Sequence, residues 1–411
     1  MKKLTISLSI ICMVLSSYAQ DTSINYTKIQ EDLDEILTDI AGNYVYLQDK
    51  NIDLNCIREY YASQIASIKT EEETVLFFEY LLDEFYDSHL ILNTNRNSSY
   101  RLWSPIYVSL DDQKLVVSSV WYDQLDGFDQ NIVGAEVLKF NQVDFNSTID
   151  QFPTHCQDKN APLIREWVAN KVLAGRYSEP RILTLKTTKG NTVEIDLDKL
   201  AYKQHSELLT YNKEDGIGYI QINNSLGTNN LIGAFDTALD ELMDTKGLII
   251  DLRNTVDGGN SYVARGIMGR FLSEPKPYQK HSFIELYDGG PEVERSWMEY
   301  VSPRGEQYTK PVVVLVGRWT GSMGEGLAIG FEGIGRATIV GSEMERLAGE
   351  MNGFGFKHQW YGYRLSTAKL YHVNGSPREE YIPSNYGVQS DPDKDAVKAL
   401  GQKVLRKEMK K

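Results

Sequence analysis

The sequence predicts an α/β protein in which a core of alternating strands and helices follows a helical region and a small β-rich module. Three observations carry this. Residues 26–48 and 72–86 space their apolar side chains as amphipathic helices do. From about residue 100 the apolar residues fall in short alternating runs, and from about residue 206 apolar strands alternate with helical segments. A chain of 411 residues, 41% hydrophobic and 24% charged, has enough apolar surface for more than one core.

The elements follow in order. The opening "MKKLTISLSIICMVLSSYAQ" sets two lysines before an apolar run too short to span a bilayer, and then Ser17-Tyr18-Ala19. This predicts an export signal over residues 1–19, cleaved after Ala19, and hence a periplasmic or secreted protein. Ile10 and Ile11 stand before Cys12 where a lipid-modified cysteine needs a small residue, which argues against an anchor there. Two cysteines then remain, Cys56 and Cys156, enough for one disulfide or two free thiols; their separation in sequence does not decide between them.

Residues 20–99 are predicted to form an N-terminal helical region. Within it Ile29, Leu33, Ile36, Leu37 and Ile40 share one helix face, and "EEETVLFFEYLLDEF" repeats the pattern. Residues 100–200, with "SPIYVSL", "KLVVSSVWY", "AEVLKFNQV", "RILTLKTT" and "TVEIDL", read as the β-rich module. Residues 206–411 run "GIGYIQI", "GAFDTALDELMD", "KGLIIDLR", "ARGIMGRFL" and "KPVVVLV", an alternation that places helices on both faces of a buried sheet.

The formal net charge is −14, and loss of Lys2 and Lys3 with the leader takes it to −16. With no basic run before the tail "KVLRKEMKK", a nucleic-acid partner is excluded. No segment after the leader reaches the roughly eighteen apolar residues of a membrane span. The six histidines show no metal-ligand spacing such as HExxH, so neither a metal nor an organic cofactor is expected.

Three stretches carry candidate chemistry. In "LVGRWTGSMGEGLAIGF" an apolar run passes through Gly321, Ser322 and Gly324 into a helix. A serine at such a junction exposes its hydroxyl over backbone N–H groups and the positive helix end. "KGLIIDLRNTVDGGN" takes a buried strand into Gly258 and Gly259, a turn that lets a backbone N–H approach a substrate carbonyl; the amide of Met323 would supply the other half of an oxyanion hole. "LDEFYDSHLILNTN" sets His89 after a helix, with Asp87 and Ser88 just before it.

In this order the stretches resemble the C-terminal processing (tail-specific) serine peptidases and their tricorn-core and retinoid-binding-protein-like relatives. "GIGYIQINNSL" is similar to the strand that enters the family's catalytic domain, "GLIIDLRNTVDGGN" to its Asp-Leu-Arg-Asn…Gly-Gly segment, and "KPVVVLVGRWTGSMGEGLA" to its nucleophile segment, with Glu325 three residues after Ser322. "GSPREEYIPSNYGV" resembles the family's closing pattern, with Ser384 and Asn385 in place of Pro-Asp. "NIVGAEVLKFNQVDF" resembles a PDZ signature, from which Ala135, Phe140 and Gln142 depart. The resemblance implies a spiral catalytic core of the ClpP and crotonase type and a PDZ-like module over 100–200 that takes an extended polypeptide by strand addition, with its C-terminus as a candidate anchor.

The base differs between branches of the family. "GSEMERLAGEMNGFGF" offers no lysine where the processing-peptidase branch has one, and Lys357 lies beyond it. The tricorn-like branch uses a histidine preceded by a serine, together with a later glutamate; Ser88, His89 and the pair Glu379 and Glu380 match that arrangement, with Glu380 the expected member. The resemblance thus implies a serine endopeptidase with catalytic residues Ser322, His89, Ser88 and Glu380. The alternative is a binder of peptides or hydrophobic ligands that does no chemistry.

Overall fold

The computed structural model describes residues 24–287 and 289–411; the predicted leader and Cys12 lie outside the described residues. Helix α1 (Tyr26–Asn43) starts where the Asn25 side chain accepts the Lys28 N–H at 3.1 Å, and it buries the predicted stripe from Ile29 to Ile40. It ends at Asn43 rather than running on to 48, because Tyr44 turns to extended backbone. Helix α2 (Leu54–Gln64) is capped by Asp53, and α3 (Glu71–Asp83) by a reciprocal Thr70–Glu73 box. Their shared core also takes in Phe356, Tyr361, Tyr363 and Leu365 from the far end of the chain. The link is a strand: Ile91–Leu92 pairs antiparallel with Gly362–Tyr371.

The middle of the chain forms an antiparallel sheet in the order Ile106–Asp111, Lys114–Val120, Glu136–Phe140, Ile182–Lys186, Thr192–Asp196, as the alternating runs predict. Helices α4 (Phe145–Asp150) and α5 (Pro162–Ala174) complete its core. A Cys56–Cys156 disulfide, with Cα atoms 5.8 Å apart, fastens this module to α2. That resolves the choice the cysteine count leaves open.

The last part holds a six-stranded sheet in the order Leu209–Glu214, Ile217–Ile222, Gly247–Asp251, Val312–Val316, Ala337–Gly341, Asn385–Tyr386, parallel after the first pair. Leu248, Ile250, Val312, Val314 and Ile339 face a core built with α6 (Asn230–Glu241), α7 (Ser261–Met268) and α8 (Met323–Gly333). Ile249, Val313, Leu315 and Val340 face the opposite way onto α9 (Ala396–Glu408). Burial on both faces explains the unbroken apolar runs "GLIID" and "VVVLV".

A second sheet, absent from the sequence-based expectations, pairs a long hairpin of Lys276–Glu285 and Val293–Val301 with Gly362–Tyr371, which in turn pairs with Glu350–Gly355. The hairpin's outer strand is exposed along nearly its whole length, so it lacks the apolar alternation that marks a half-buried strand.

Candidate active site

Two turns leave the C-terminal ends of neighbouring parallel strands, the place where open α/β sheets build their sites. After Gly247–Asp251 comes 252–259, and after Val312–Val316 comes 317–322. They are laced together beyond the sheet. Thr255 N–H donates to Trp319 O and Gly321 N–H to Thr255 O, both at 3.2 Å, while the Thr255 and Thr320 hydroxyls both donate to Leu252 O at 2.8 and 2.9 Å.

Ser322 stands where this lacing meets α8, at φ 48° and ψ −108°, a strained conformation for a residue with a side chain. Such a turn lifts a side chain clear of strand and helix. Gly258, at φ +65°, lies against it: a Cβ there would sit 2.5 Å from Ser322 Cβ and 3.2 Å from Met323 N, so no larger residue fits. A Cβ on Gly324 would sit 2.3 Å from Thr255 Oγ1. These close approaches are why small residues crowd the junction.

The structure thus brings Ser322, Met323, Gly258 and Gly259 together. The Gly258 N–H donates to Thr255 O at 2.9 Å. Among the described residues neither the Gly259 nor the Met323 N–H has a hydrogen-bond acceptor.

Glu325 is fully buried behind the serine. Its carboxylate accepts from Ser322 N–H at 2.9 Å, Arg346 N–H at 2.9 Å and Leu347 N–H at 3.1 Å. Burial pushes its carboxyl up to about 7, against the opposing pull of Arg378 and these three donors.

His89 reaches the same neighbourhood from α3. Its N–H donates to Asp87 Oδ1 at 2.9 Å, and Asp87 Oδ2 accepts the Tyr44 hydroxyl at 2.6 Å. The ring's Nδ1 lies 2.9 Å from Ala348 O. A carbonyl can only accept, so Nδ1 carries the proton and Nε2 the free lone pair. Nε2 is buried without a partner, and no hydrogen bond joins it to the Ser322 hydroxyl among the described residues. Burial pulls the imidazole down to about 4, so it is neutral at physiological pH. Residues 346–348 therefore hold both parties: Arg346 and Leu347 bind Glu325 under the serine, and Ala348 binds His89.

Ser88 and Glu380 lie elsewhere. Ser88 is exposed, and its hydroxyl accepts the Trp167 indole N–H from α5 at 3.1 Å. Glu380 is exposed on the turn Arg378–Glu380. Its neighbour Glu379 is turned inward toward Tyr46, and burial raises its carboxyl. From that same turn Arg378 donates to Leu347 O at 2.7 Å, gripping the segment that carries Ala348. Lys357 is exposed and ion-paired with Glu31 of α1 at 2.7 Å.

The middle module is bolted to both turns. Trp121 Nε1 donates to Arg253 O at 3.0 Å and Trp319 Nε1 to Ser104 O at 2.9 Å, with the two indoles stacked 5.2 Å apart at 8°.

Residues 216–392 match the Peptidase family S41 model, and residues 26–83 match the tricorn protease C1 domain. Residues 216–392 thus form a peptidase family S41 domain. With that domain the protein is a serine peptidase acting on polypeptides. Mature CPAF complexed with lactacystin is similar over 94% of this chain and 98% of its own, at 14% identity and a TM-score of 0.60. A putative peptidase from Parabacteroides merdae is similar over 92% and 96%, at 15% identity and a TM-score of 0.56. The photosystem II D1 C-terminal processing protease is similar over 89% and 93%, at 14% and 0.53. At these identities the likeness is one of fold. No curated protein matches the sequence. The S41 segment contains Gly258, Gly259, Ser322 and Glu325, whereas His89 lies outside both matched segments.

Proposed function

We propose that this chain is an exported serine endopeptidase in which Ser322 forms the acyl-enzyme and His89 is the general base. The observation that carries the reading is that residues 346–348 hold both the acid under a strained serine at a helix N-terminus and a buried histidine whose Nε2 lone pair is free and whose Nδ1–H is held by Ala348 O. Nε2 takes the Ser322 proton as Oγ attacks the scissile carbonyl, and the Gly259 and Met323 N–H groups stabilise the oxyanion. The imidazolium then returns the proton to the leaving amine. A water, deprotonated by the same nitrogen, hydrolyses the ester. The Ala348 carbonyl orients the ring as a carboxylate does in a triad, with less stabilisation of the imidazolium. Glu379, turned inward, is better placed than Glu380 to bias this region electrostatically.

The fold reading goes with it: a spiral core over 206–411 and a PDZ-like module over 100–200. Capture of a substrate C-terminus by strand addition along Ile106–Asp111 requires α5 to move. Asn170 of α5 already accepts Val108 N–H at 2.9 Å and donates to Val108 O at 2.8 Å, and Glu166 accepts Leu110 N–H at 3.0 Å. That occupied edge favours cleavage within chains over recognition of tails.

The experiment is covalent labelling by a fluorophosphonate alongside peptide hydrolysis. Ser322→Ala should lose both while keeping its melting temperature. Undiminished hydrolysis in that variant refutes the mechanism. A wild type that binds peptides yet neither labels nor cleaves them would leave the binder in its place.

A further inference from the structure

Glu345 lies where the two turns meet, and the chemistry above gives its carboxyl no role. Its N–H donates to Thr320 O at 3.1 Å, which sets the side chain over the nucleophile turn. A Cβ on Gly321 would lie 2.2 Å from Glu345 Oε2 and 2.5 Å from Val256 O, so the carboxyl and that carbonyl converge on one spot. Oε2 is closed off from solvent and has no hydrogen-bond partner. An ionised carboxylate would there confront another oxygen, with Glu325 of α8 and Asp257 of the glycine turn adding like charge. Arg318 is the cation facing it, and that guanidinium already serves Met344 O at 2.9 Å and the Tyr107 ring. On Glu345's own segment, Glu343 and Arg346 face each other at 4.0 Å. Burial and the neighbouring acids push the Glu345 carboxyl well above the usual range.

We propose that Glu345 is a positioning residue: as a neutral carboxyl, its O–H clamps the Val256 carbonyl and holds the glycine turn seated against Ser322. It touches no substrate. Loss of its proton as pH rises leaves two acceptors in contact, the turns part, and the oxyanion donors drift from the reacting carbonyl. The site thereby carries its own alkaline limit. The inference rests on Ser322 as nucleophile.

Glu345→Gln and Glu345→Ala are compared with the wild type and Ser322→Ala, reading kcat, KM and melting temperature from about pH 5 to about pH 10. A glutamine amide makes the same bond to Val256 O and cannot ionise. Glu345→Gln should therefore stay within about twofold of wild-type kcat at neutral pH and lose the alkaline fall. Glu345→Ala should lose about tenfold or more in kcat with KM little changed. An alkaline fall in Glu345→Gln like that of the wild type, or full kcat in Glu345→Ala, overturns the proposal. The melting data need no activity. Because the folded state keeps the proton longer than the unfolded chain, wild-type stability should fall relative to Glu345→Gln as pH rises above about 4.5. A difference that stays constant with pH refutes the neutral clamp even if Ser322 proves inert, and failure of the nucleophile reading shows separately as hydrolysis retained by Ser322→Ala.

Discussion

The Ser322 N–H donates to the carboxylate of Glu325, three residues on, and that carboxylate also receives the N–H groups of Arg346 and Leu347. One buried acid thus sets the pitch of the Ser322 turn and docks the segment whose next residue holds His89. Glu325→Ala should orphan three backbone donors, one of them buried and two partly so, cost about 2 kcal/mol of stability or more, and slow fluorophosphonate labelling by at least about tenfold. Glu325→Gln keeps one acceptor oxygen and should fall between. Labelling at the wild-type rate in Glu325→Ala would contradict this coupling.

As the proposed base, His89 sets a low acid limit. A base pulled to about 4 stays neutral well below the ordinary histidine value, so kcat/KM should hold on acidification past pH 6.5 and fall only as pH approaches about 4. Stability is linked to the same group with a definite sign. The unfolded chain binds a proton near pH 6.5 that the folded state refuses until about 4, so stability is lost as pH falls through that window, by about 3 kcal/mol in all. His89→Gln should remove this dependence. Titration of the pH–rate profile and of denaturant midpoints checks both, and an acid limb near 6.5 would contradict the burial argument.

The indole bolts predict that the middle module governs rate as well as substrate choice. Trp319→Phe keeps the stacked ring and removes the hydrogen bond to Ser104 O. It should cost about 1 kcal/mol of stability and lower kcat on a short peptide that cannot reach the module. A loss confined to long protein substrates would instead mark the module as a docking site alone.

Opening the occupied sheet edge should create binding. With Asn170→Ala and Glu166→Ala combined, the backbone groups of Val108 and Leu110 lose their α5 partners. Fluorescence anisotropy should then detect a peptide with a free C-terminus at concentrations where the wild type shows none. Equal binding by the two proteins would mean that strand addition occurs elsewhere.

The disulfide spans a separation of 100 residues, so Cys156→Ser should lower stability by about 2–5 kcal/mol. The loss should appear as a lower melting temperature without reductant, and adding reductant should bring the wild type to the same value.

The sheet and its site were legible to different depths. Runs such as "VVVLV" admit few interpretations, since a strand buried on both faces has no polar positions to vary. The crowding of Gly258 and Gly324 around Ser322 is equally local: close backbone approach selects glycine, and glycine shows in the sequence. The contacts that orient His89 left no such trace. Its partner is the backbone carbonyl of Ala348, which any residue supplies, and Arg378 acts through two more carbonyls. The choice between Glu379 and Glu380 turns on which way one short turn faces, and spacing cannot record that. Glu345 reads as an ordinary surface acid until Gly321 and Val256 close over it.

The antiparallel pairing of Ile91–Leu92 with Gly362–Tyr371 bears on the order in which the molecule comes into being. A polypeptide is made from its N-terminus, so His89 and Ser322 both emerge before the segment that orients them. Until Ala348 and the strand beyond it have followed and found their partners far upstream, the imidazole has no fixed direction and Glu325 no second anchor. An unfinished chain therefore carries its serine and its histidine with nothing yet to orient either one.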